Sequence, residues 1–273
     1  MILDTIAKAT RIRVEKAKEQ LPLKELKAKI YGGEDVKSFH DRNPFAFERA
    51  LKRNNSLMME GKPISVICEV KKASPSKGVI AENFPYLTIA KEYMEAGADA
   101  ISVLTEPEFF QGEDRYLSEI SKEVTIPVLR KDFTIDEYQI YEAKLIGADA
   151  VLLICSLLDT RTIQRYLELC DELGLSALVE AHSELEILSA IQAGARVIGV
   201  NNRNLNTFEV DITNSLHLRK FVPEDIIFVA ESGIRSAMDI TMLCDAGVDA
   251  VLIGETLMRS NNKKDELEKL IGR

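Results

Sequence analysis

Five ionisable side chains stand at the ends of short apolar runs, where a buried core would reject them. Glu69 stands one residue before the end of "PISVICEV" and Lys71 follows two residues later, so both lie on one side of an extended strand. "IPVLRKD" ends in Arg130, Lys131 and Asp132, "LSALVEA" carries Glu180, and "IIFVAES" carries Glu231 and Ser232. A further run, "GARVIGVN", ends at Asn201, with Arg203 just beyond. Wet loops explain one or two polar groups of this kind. They explain poorly two lysines and three glutamates repeated across separate runs. If these groups converge, they perturb one another's pKa values, as acid–base chemistry at neutral pH requires.

Other runs end differently. Leu104, Leu152 and Ile154 close theirs with apolar groups suited to a flat hydrophobic substrate part, and Phe110 can add an aromatic wall. Gly233 in "ESG" and Gly254 in "IGE", the latter followed by Glu255, each precede a helical pattern. Backbone amides at helix N-termini bind phosphate, so the pair suggests a phosphate cradle. The four cysteines and three histidines are scattered, without the clustered spacing that a metal site needs. The cysteines read as small buried hydrophobes, and no histidine is given a catalytic role.

The elements that must position these groups follow from a repeat. "GADAISVL" (97–104), "GADAVLLI" (147–154) and "GVDAVLIG" (247–254) restate one phrase, with a looser copy at 194–201. Each copy follows a segment with apolar residues at three-and-four spacing and opens on the glycine that commonly ends a helix. The β-branched run after it lacks polar alternation, as a strand covered on both faces should. Merging these with the intervening runs predicts eight strands, starting near 64, 99, 126, 149, 175, 196, 226 and 249. Eight strands with helical pattern between them predict an α/β fold, a (β/α)8 TIM barrel. An open doubly wound sheet would normally carry a Gly-rich dinucleotide fingerprint after its first strand, and none is present. Residues 1–60 read as two or three helices, an N-terminal helical extension packed over one mouth of the barrel. The whole chain, 1–273, is then a single domain.

Composition narrows the function. The net charge of −9 argues against a general nucleic-acid or membrane-surface partner, and no apolar run approaches the ~18 residues of a membrane helix. The first twenty residues lack a signal-peptide core, so the cytoplasm is the expected location.

The motifs together resemble a known family. "EVKKASPSKG", "PVLRKDFTIDEYQI", "LVEAHSELE", "IGVNNRNL" and "VAESGI", in that order, look like indole-3-glycerol phosphate synthase of tryptophan biosynthesis. The likeness runs from about residue 45 to 258. It implies a substrate that joins anthranilate to a phosphosugar, 1-(2-carboxyphenylamino)-1-deoxyribulose 5-phosphate, converted to indole-3-glycerol phosphate, carbon dioxide and water without metal or organic cofactor. By the same resemblance, Lys131 is the general acid on the ribulose carbonyl oxygen, and Glu180 stabilises positive charge on the amine and shares in proton transfer. Lys71 either attracts the carboxylate or acts as acid in the dehydration; Glu69 either serves that step or holds Lys71. Asn201 and Glu231 position substrate hydroxyls and the lysines, and Arg203 meets the substrate carboxylate. Ser74, Ser232, Gly233, Gly254 and Glu255 surround the phosphate, Glu255 through its backbone N–H alone. Leu104, Phe110, Pro75, Leu152 and Ile154 enclose the ring, and the loop 76–83 is a mobile lid. A monomer is expected, able to associate with neighbouring pathway enzymes.

Two other readings compete. A phosphosugar isomerase would share the cradle but needs one acid–base pair rather than two lysines and three carboxylates. A non-catalytic ligand sensor has little use for mutually perturbing acids and bases.

Overall fold

The structure is a computed structural model that describes residues 2–32, 43–52, 64–204 and 207–271. Eight parallel strands close into a barrel: β1 (Ser65–Val70), β4 (Ala100–Leu104), β5 (Val128–Lys131), β6 (Ala150–Ile154), β7 (Ser176–Ala181), β8 (Val197–Asn201), β9 (Ile227–Glu231) and β10 (Ala250–Ile253). Each begins within two residues of its predicted start. Two short strands, β2 (Ala73–Ser74) and β3 (Gly78–Val79), form an antiparallel hairpin within the loop after β1. Strands this short leave no period for the sequence to show.

The repeated phrase has a physical cause. Its glycines, Gly97, Gly147, Gly194 and Gly247, all end helices with φ of 80–90°, a conformation that costs glycine little. The aspartate two residues on then reaches the strand paired beside it. Asp99, Asp149 and Asp249 accept the backbone N–H of Val66, Val128 and Phe228, each at 2.8 Å. The looser copy has Arg196 at that position, and it pairs with Glu48 and Asp171 instead.

Strand period two then divides the core. Inward-facing Ile67, Leu129, Leu178 and Val229 fill the barrel, and the alternate residues pack outward against the helices. Continuing the inward series by two residues reaches Glu69, Lys131, Glu180 and Glu231. The side chains that could do chemistry are therefore the top layer of the barrel interior.

The N-terminal helices are α1 (Ile2–Gln20), α2 (Leu23–Gly32) and α3 (Ala46–Leu51). They were expected over one mouth, but they reach both. Phe47 and Leu51 of α3 are fully buried and plug the amino-terminal end against Ile67, Ala100, Leu129 and Ala250. At the carboxyl end, Ile2, Leu3 and Ile6 of α1 overhang the opening. Arg13 ties α1 down through Asp132 at 2.7 Å, and Lys18 does so through Asp136 at 2.7 Å. The correction follows from geometry: α2 packs on the helix Glu137–Leu145 at the outside of the barrel, so the extension is not confined to one mouth.

Between and after the barrel strands lie α4 (Tyr86–Glu95), α5 (Asp114–Glu123), α6 (Glu137–Leu145), α7 (Thr160–Leu173), α8 (Glu184–Gln192), α9 (Thr213–Leu218), α10 (Ala237–Asp245), α11 (Glu255–Arg259) and α12 (Lys263–Leu270). None of the described helices is long and apolar enough to cross a membrane.

Candidate active site

A cavity of about 580 Å³ opens at the carboxyl ends of the strands, within the range of small-molecule sites. Every residue given a role from the sequence lines it. Arg130, one residue out of phase with them, is buried outside the barrel interior against Asp114 and Glu142. The ionisable groups of the cavity form two clusters. Lys131 Nζ donates to Glu180 Oε2 at 2.8 Å and to Glu231 Oε2 at 3.0 Å. Lys71 Nζ donates to Glu69 Oε2.

Burial makes these contacts consequential. Glu69, Glu180 and Glu231 are each less than 5% exposed. Desolvation would discharge Lys131, but the charges of Glu180, Glu231 and Glu69 outweigh it and hold the ammonium well above its usual range. Burial likewise pushes Glu180 up, yet Lys131 and His182 together bring it below the ordinary carboxylate value, with Asn201 adding to the effect. Glu231 goes the other way. Desolvation and the charge of Glu180 prevail over Lys131 and raise it from 4.5 to about 7. Its second oxygen, Oε1, is buried without a hydrogen-bond partner among the described residues. Neighbouring carboxylates on one rim thus hold their protons differently.

The glycines are where side chains would not fit. A Cβ on Gly254 would collide with the Glu69 carboxylate and stand 3.0 Å from Lys71 Nζ. One on Gly199, at the middle of β8, would collide with the Glu231 carboxylate. Gly254 is the N-cap of α11 and so stands at a helix start. Gly233 is not at a helix start: Ile234, Arg235 and the N-cap Ser236 intervene before α10. Instead, Ser232 and Gly233 both take positive φ, 67° and 89°, turning the chain sharply out of β9. For serine this conformation is uncommon and strained. It is held by Asn202, whose buried amide donates to the Ser232 carbonyl at 3.0 Å and accepts from Ser215 N and Oγ.

Ser74 and Pro75 approach from the β2–β3 hairpin, and Leu104, Phe110, Leu152 and Ile154 supply apolar wall. Phe133 extends it beside Phe110, their ring centroids 6.0 Å apart. Arg203 donates to the Phe208 carbonyl at 3.2 Å and shares a smaller adjoining recess with Lys77 and Arg235. The Glu255 carboxylate does not face the cavity unpaired. Lys77 at 3.5 Å and Arg259 at 3.1 Å hold it, keeping it ionised despite partial burial.

Sequence reasoning missed several lining groups. Lys77 lies inside the quoted "SPSKG" loop and could have been taken from it. Ile2, Leu3 and Ile6 gave no local signal, because only the placement of α1 brings them to the cavity. His182 reads in the sequence as one of three scattered histidines, yet its Nε2 stands 3.4 Å from Glu180 Oε1. The available signal was its spacing, two residues beyond Glu180 and hence on the same side of the chain. His40 lies outside the described residues. The thiols fit the sequence reading in part: Cys68 and Cys170 are buried, whereas Cys155 and Cys244 are half-buried, and burial pushes Cys155 up to about 12.

Comparison with known proteins agrees with the geometry. Residues 3–270 match the family model described as indole-3-glycerol phosphate synthase. The chain is 60% identical over 272 residues to the indole-3-glycerol phosphate synthase of Ruminiclostridium cellulolyticum, covering 100% of this chain and 99% of that protein. It is 53% identical over 269 residues to the protein of the same name from Lachnoclostridium phytofermentans, covering 97% and 96%. Among solved structures, a 3-hexulose-6-phosphate synthase superposes with a TM-score of 0.62 at 15% identity, over 77% of this chain and 99% of that one. At that identity the likeness speaks for the barrel alone.

Proposed function

The chain belongs to the indole-3-glycerol phosphate synthase family, and from that premise we propose a role for each ionisable group in the cavity. The reaction is a carbon–carbon lyase step of tryptophan biosynthesis: ring closure, decarboxylation and dehydration of the anthranilate-bearing ribulose phosphate. Lys131 is the general acid. Its ammonium protonates the ribulose carbonyl oxygen while the anthranilate ring carbon attacks. Loss of carbon dioxide from the carbon so bonded then restores aromaticity.

What supports this role is the Lys131 ammonium clasped by two buried carboxylates, since an acid must carry its proton at neutral pH. Glu231, titrating near 7, is the carboxylate that can yield when the substrate oxygen takes its place. Glu180, held ionised, stabilises positive charge developing on the amine and receives a proton in the later steps. Lys71, paired with Glu69, is free to meet the substrate carboxylate or to protonate the departing hydroxyl. Asn201 orients hydroxyls, and Arg203 receives the carboxylate. The phosphate lies between Ser74, the Ser232–Gly233 turn and the Gly254–Glu255 amides. The aromatic ring lies against Pro75, Leu104, Phe110, Leu152 and Ile154. The hairpin and residues 76–83 close over it as a lid.

The proposal extends to a monomer in the cytoplasm, able to associate with neighbouring pathway enzymes. Among the described residues, exposed large apolar side chains are spread over α1, α2, the β2–β3 hairpin, α8, the loop at Phe208 and α10 rather than gathered on one element. Incubation with the ribulose substrate tests the chemistry. Indole fluorescence appears if these roles hold; an isomerised phosphosugar, or saturable binding without turnover, overturns them.

A further inference from the structure

His182 lies just past the end of β7, between two carboxylates. Its Nε2 is buried without a hydrogen-bond partner among the described residues and lies at ion-pair distance, 3.4 Å, from Glu180 Oε1, while its Nδ1 is 3.3 Å from Glu186 Oε2 on α8. Glu186 is itself fixed: its Oε2 accepts the His182 backbone N–H at 2.6 Å, and its Oε1 accepts Ser156 Oγ at 2.9 Å. A neutral imidazole has one N–H and one lone pair. Ser156 Oγ stands 3.5 Å from Nδ1 but gives its single hydrogen to Glu186 Oε1 at 2.9 Å, so a neutral ring would point its lone pair at a carboxylate oxygen on one side or the other. Only the imidazolium offers a donor to both.

We propose that His182 is a positioning residue for Glu180, an imidazolium that holds Oε1 of that carboxylate while Oε2 faces Lys131 and the substrate. This rests on the role given to Glu180 above. It also balances the rim, where Lys71 and Lys131 face Glu69, Glu180 and Glu231. When Lys131 passes its proton to the substrate oxygen, Glu180 loses one of its two cationic partners. His182, the other, stays in place, so the carboxylate remains ionised and aimed for its own part.

Three carboxylates around the ring favour its protonation. Burial in the loop region alone would lower its pKa, but Glu186 from α8, Glu180 at the end of β7 and Glu231 from β9 together raise it. Lys131 reaches the ring only through Glu180, which it contacts on the opposite oxygen. Ser156, in the loop after β6, is neutral.

The experiment pairs His182→Gln, which keeps a donor but no charge, with Glu186→Gln. The expected result for His182→Gln is a kcat lower by about 10–100-fold, the scale on which partners that orient a site's groups act, with KM little changed. Because the ring is cationic below its raised pKa and neutral above it, wild-type kcat should carry an alkaline limb from its titration. That limb should vanish in His182→Gln and move to lower pH in Glu186→Gln. With only three histidines in the chain, the His182 ring signal is identified by NMR from its loss in His182→Gln, and it should titrate above an ordinary histidine. If His182→Gln fails to fold, the histidine signal whose titration moves in Glu186→Gln is that of His182, and its titration in wild type carries the test. A ring already neutral at pH 7, or His182→Gln with wild-type kcat and pH profile, overturns the proposal. Glu180→Gln separates the two ideas: inactive beside a normal His182→Gln, it removes this inference alone; active, it removes the Glu180 role as well.

Discussion

Lys131 Nζ and Glu231 Oε2 lie 3.0 Å apart although 100 residues of chain separate them. The barrel makes that approach unavoidable. Lys131 continues the inward series of β5 and Glu231 that of β9, and both strands end at the same rim. Glu180, from β7, completes a triangle in which one ammonium serves two carboxylates. Glu180 has His182 as a second cationic neighbour, so Glu231, which shares Lys131 with it, takes up a proton first.

Lys131→Met should lower kcat by about 10²–10⁴-fold, the usual contribution of a general acid. Binding of a non-cyclisable substrate analogue should change little, because the contacts proposed for the phosphate and the ring remain. Steady-state kinetics beside calorimetric titration of the analogue separate the two quantities. Turnover near wild type would place the acid elsewhere, with Lys71 the next group to examine.

Glu231 predicts a pH dependence of stability. Its folded pKa of about 7 lies above the ordinary 4.5, so between those values the folded state binds more protons than the unfolded one. Stability from this group is therefore full below about 4.5 and falls as pH rises through about 7. A tenfold difference in proton affinity between the two states is worth about 1.4 kcal/mol, which makes the whole effect a few kcal/mol at most. Urea unfolding at pH 5, 6, 7 and 8 should give Glu231→Gln a flatter profile than wild type, with its relative gain largest at pH 8. Parallel profiles would mean that Glu231 is ionised throughout.

The sequence exposed the site to the extent that strand period two did so. Once Ile67, Leu129, Leu178 and Val229 are read as core, Glu69, Lys131, Glu180 and Glu231 follow two residues later on the same face. Turn geometry was less legible. The glycine of "ESG" suggested a helix start, but Ser232 and Gly233 make a strained turn that depends on Asn202 and Ser215, distant partners with no local signature. The cavity face of α1 was illegible for a different reason. Ile2, Leu3 and Ile6 look like any amphipathic stripe until Arg13 and Lys18 anchor the helix beside β5 and the start of α6.

Gly254→Ala should be far more harmful to activity than to folding. The new methyl collides with the Glu69 carboxylate, which cannot move away without disturbing Lys71. Overpacking of this kind costs about 1–3 kcal/mol, within what a barrel of this size can bear. Displacement of a reacting group by about 1 Å can cost on the order of 10²-fold in rate. Circular dichroism melting beside kcat/KM is the measurement. A variant with wild-type kcat/KM would mean that the Glu69–Lys71 pair can shift without consequence.

Arg13→Met tests whether the amino-terminal helix belongs to the site. Asp132 follows Lys131 directly, is buried, and accepts from Arg13 at 2.7 Å and Thr105 Oγ1 at 2.8 Å. Burial would raise its pKa, but Arg13 and Arg130 with these hydrogen bonds bring it below the ordinary value. Its contribution to stability is thus present above the unfolded pKa of about 4 and lost as pH falls through the lower folded one. Removing Arg13 leaves Asp132 its bond to Thr105, so the loss at pH 7 should be about 1–3 kcal/mol, shrinking in acid. Releasing α1 also loosens the wall made by Ile2, Leu3 and Ile6, so KM should rise by a larger factor than kcat falls. Urea unfolding at pH 7 and in acid, with kinetics at pH 7, gives both readouts. An unchanged KM in a destabilised variant would confine α1 to holding the barrel together, because a helix that only braces the fold has no means of discriminating bound substrate from free.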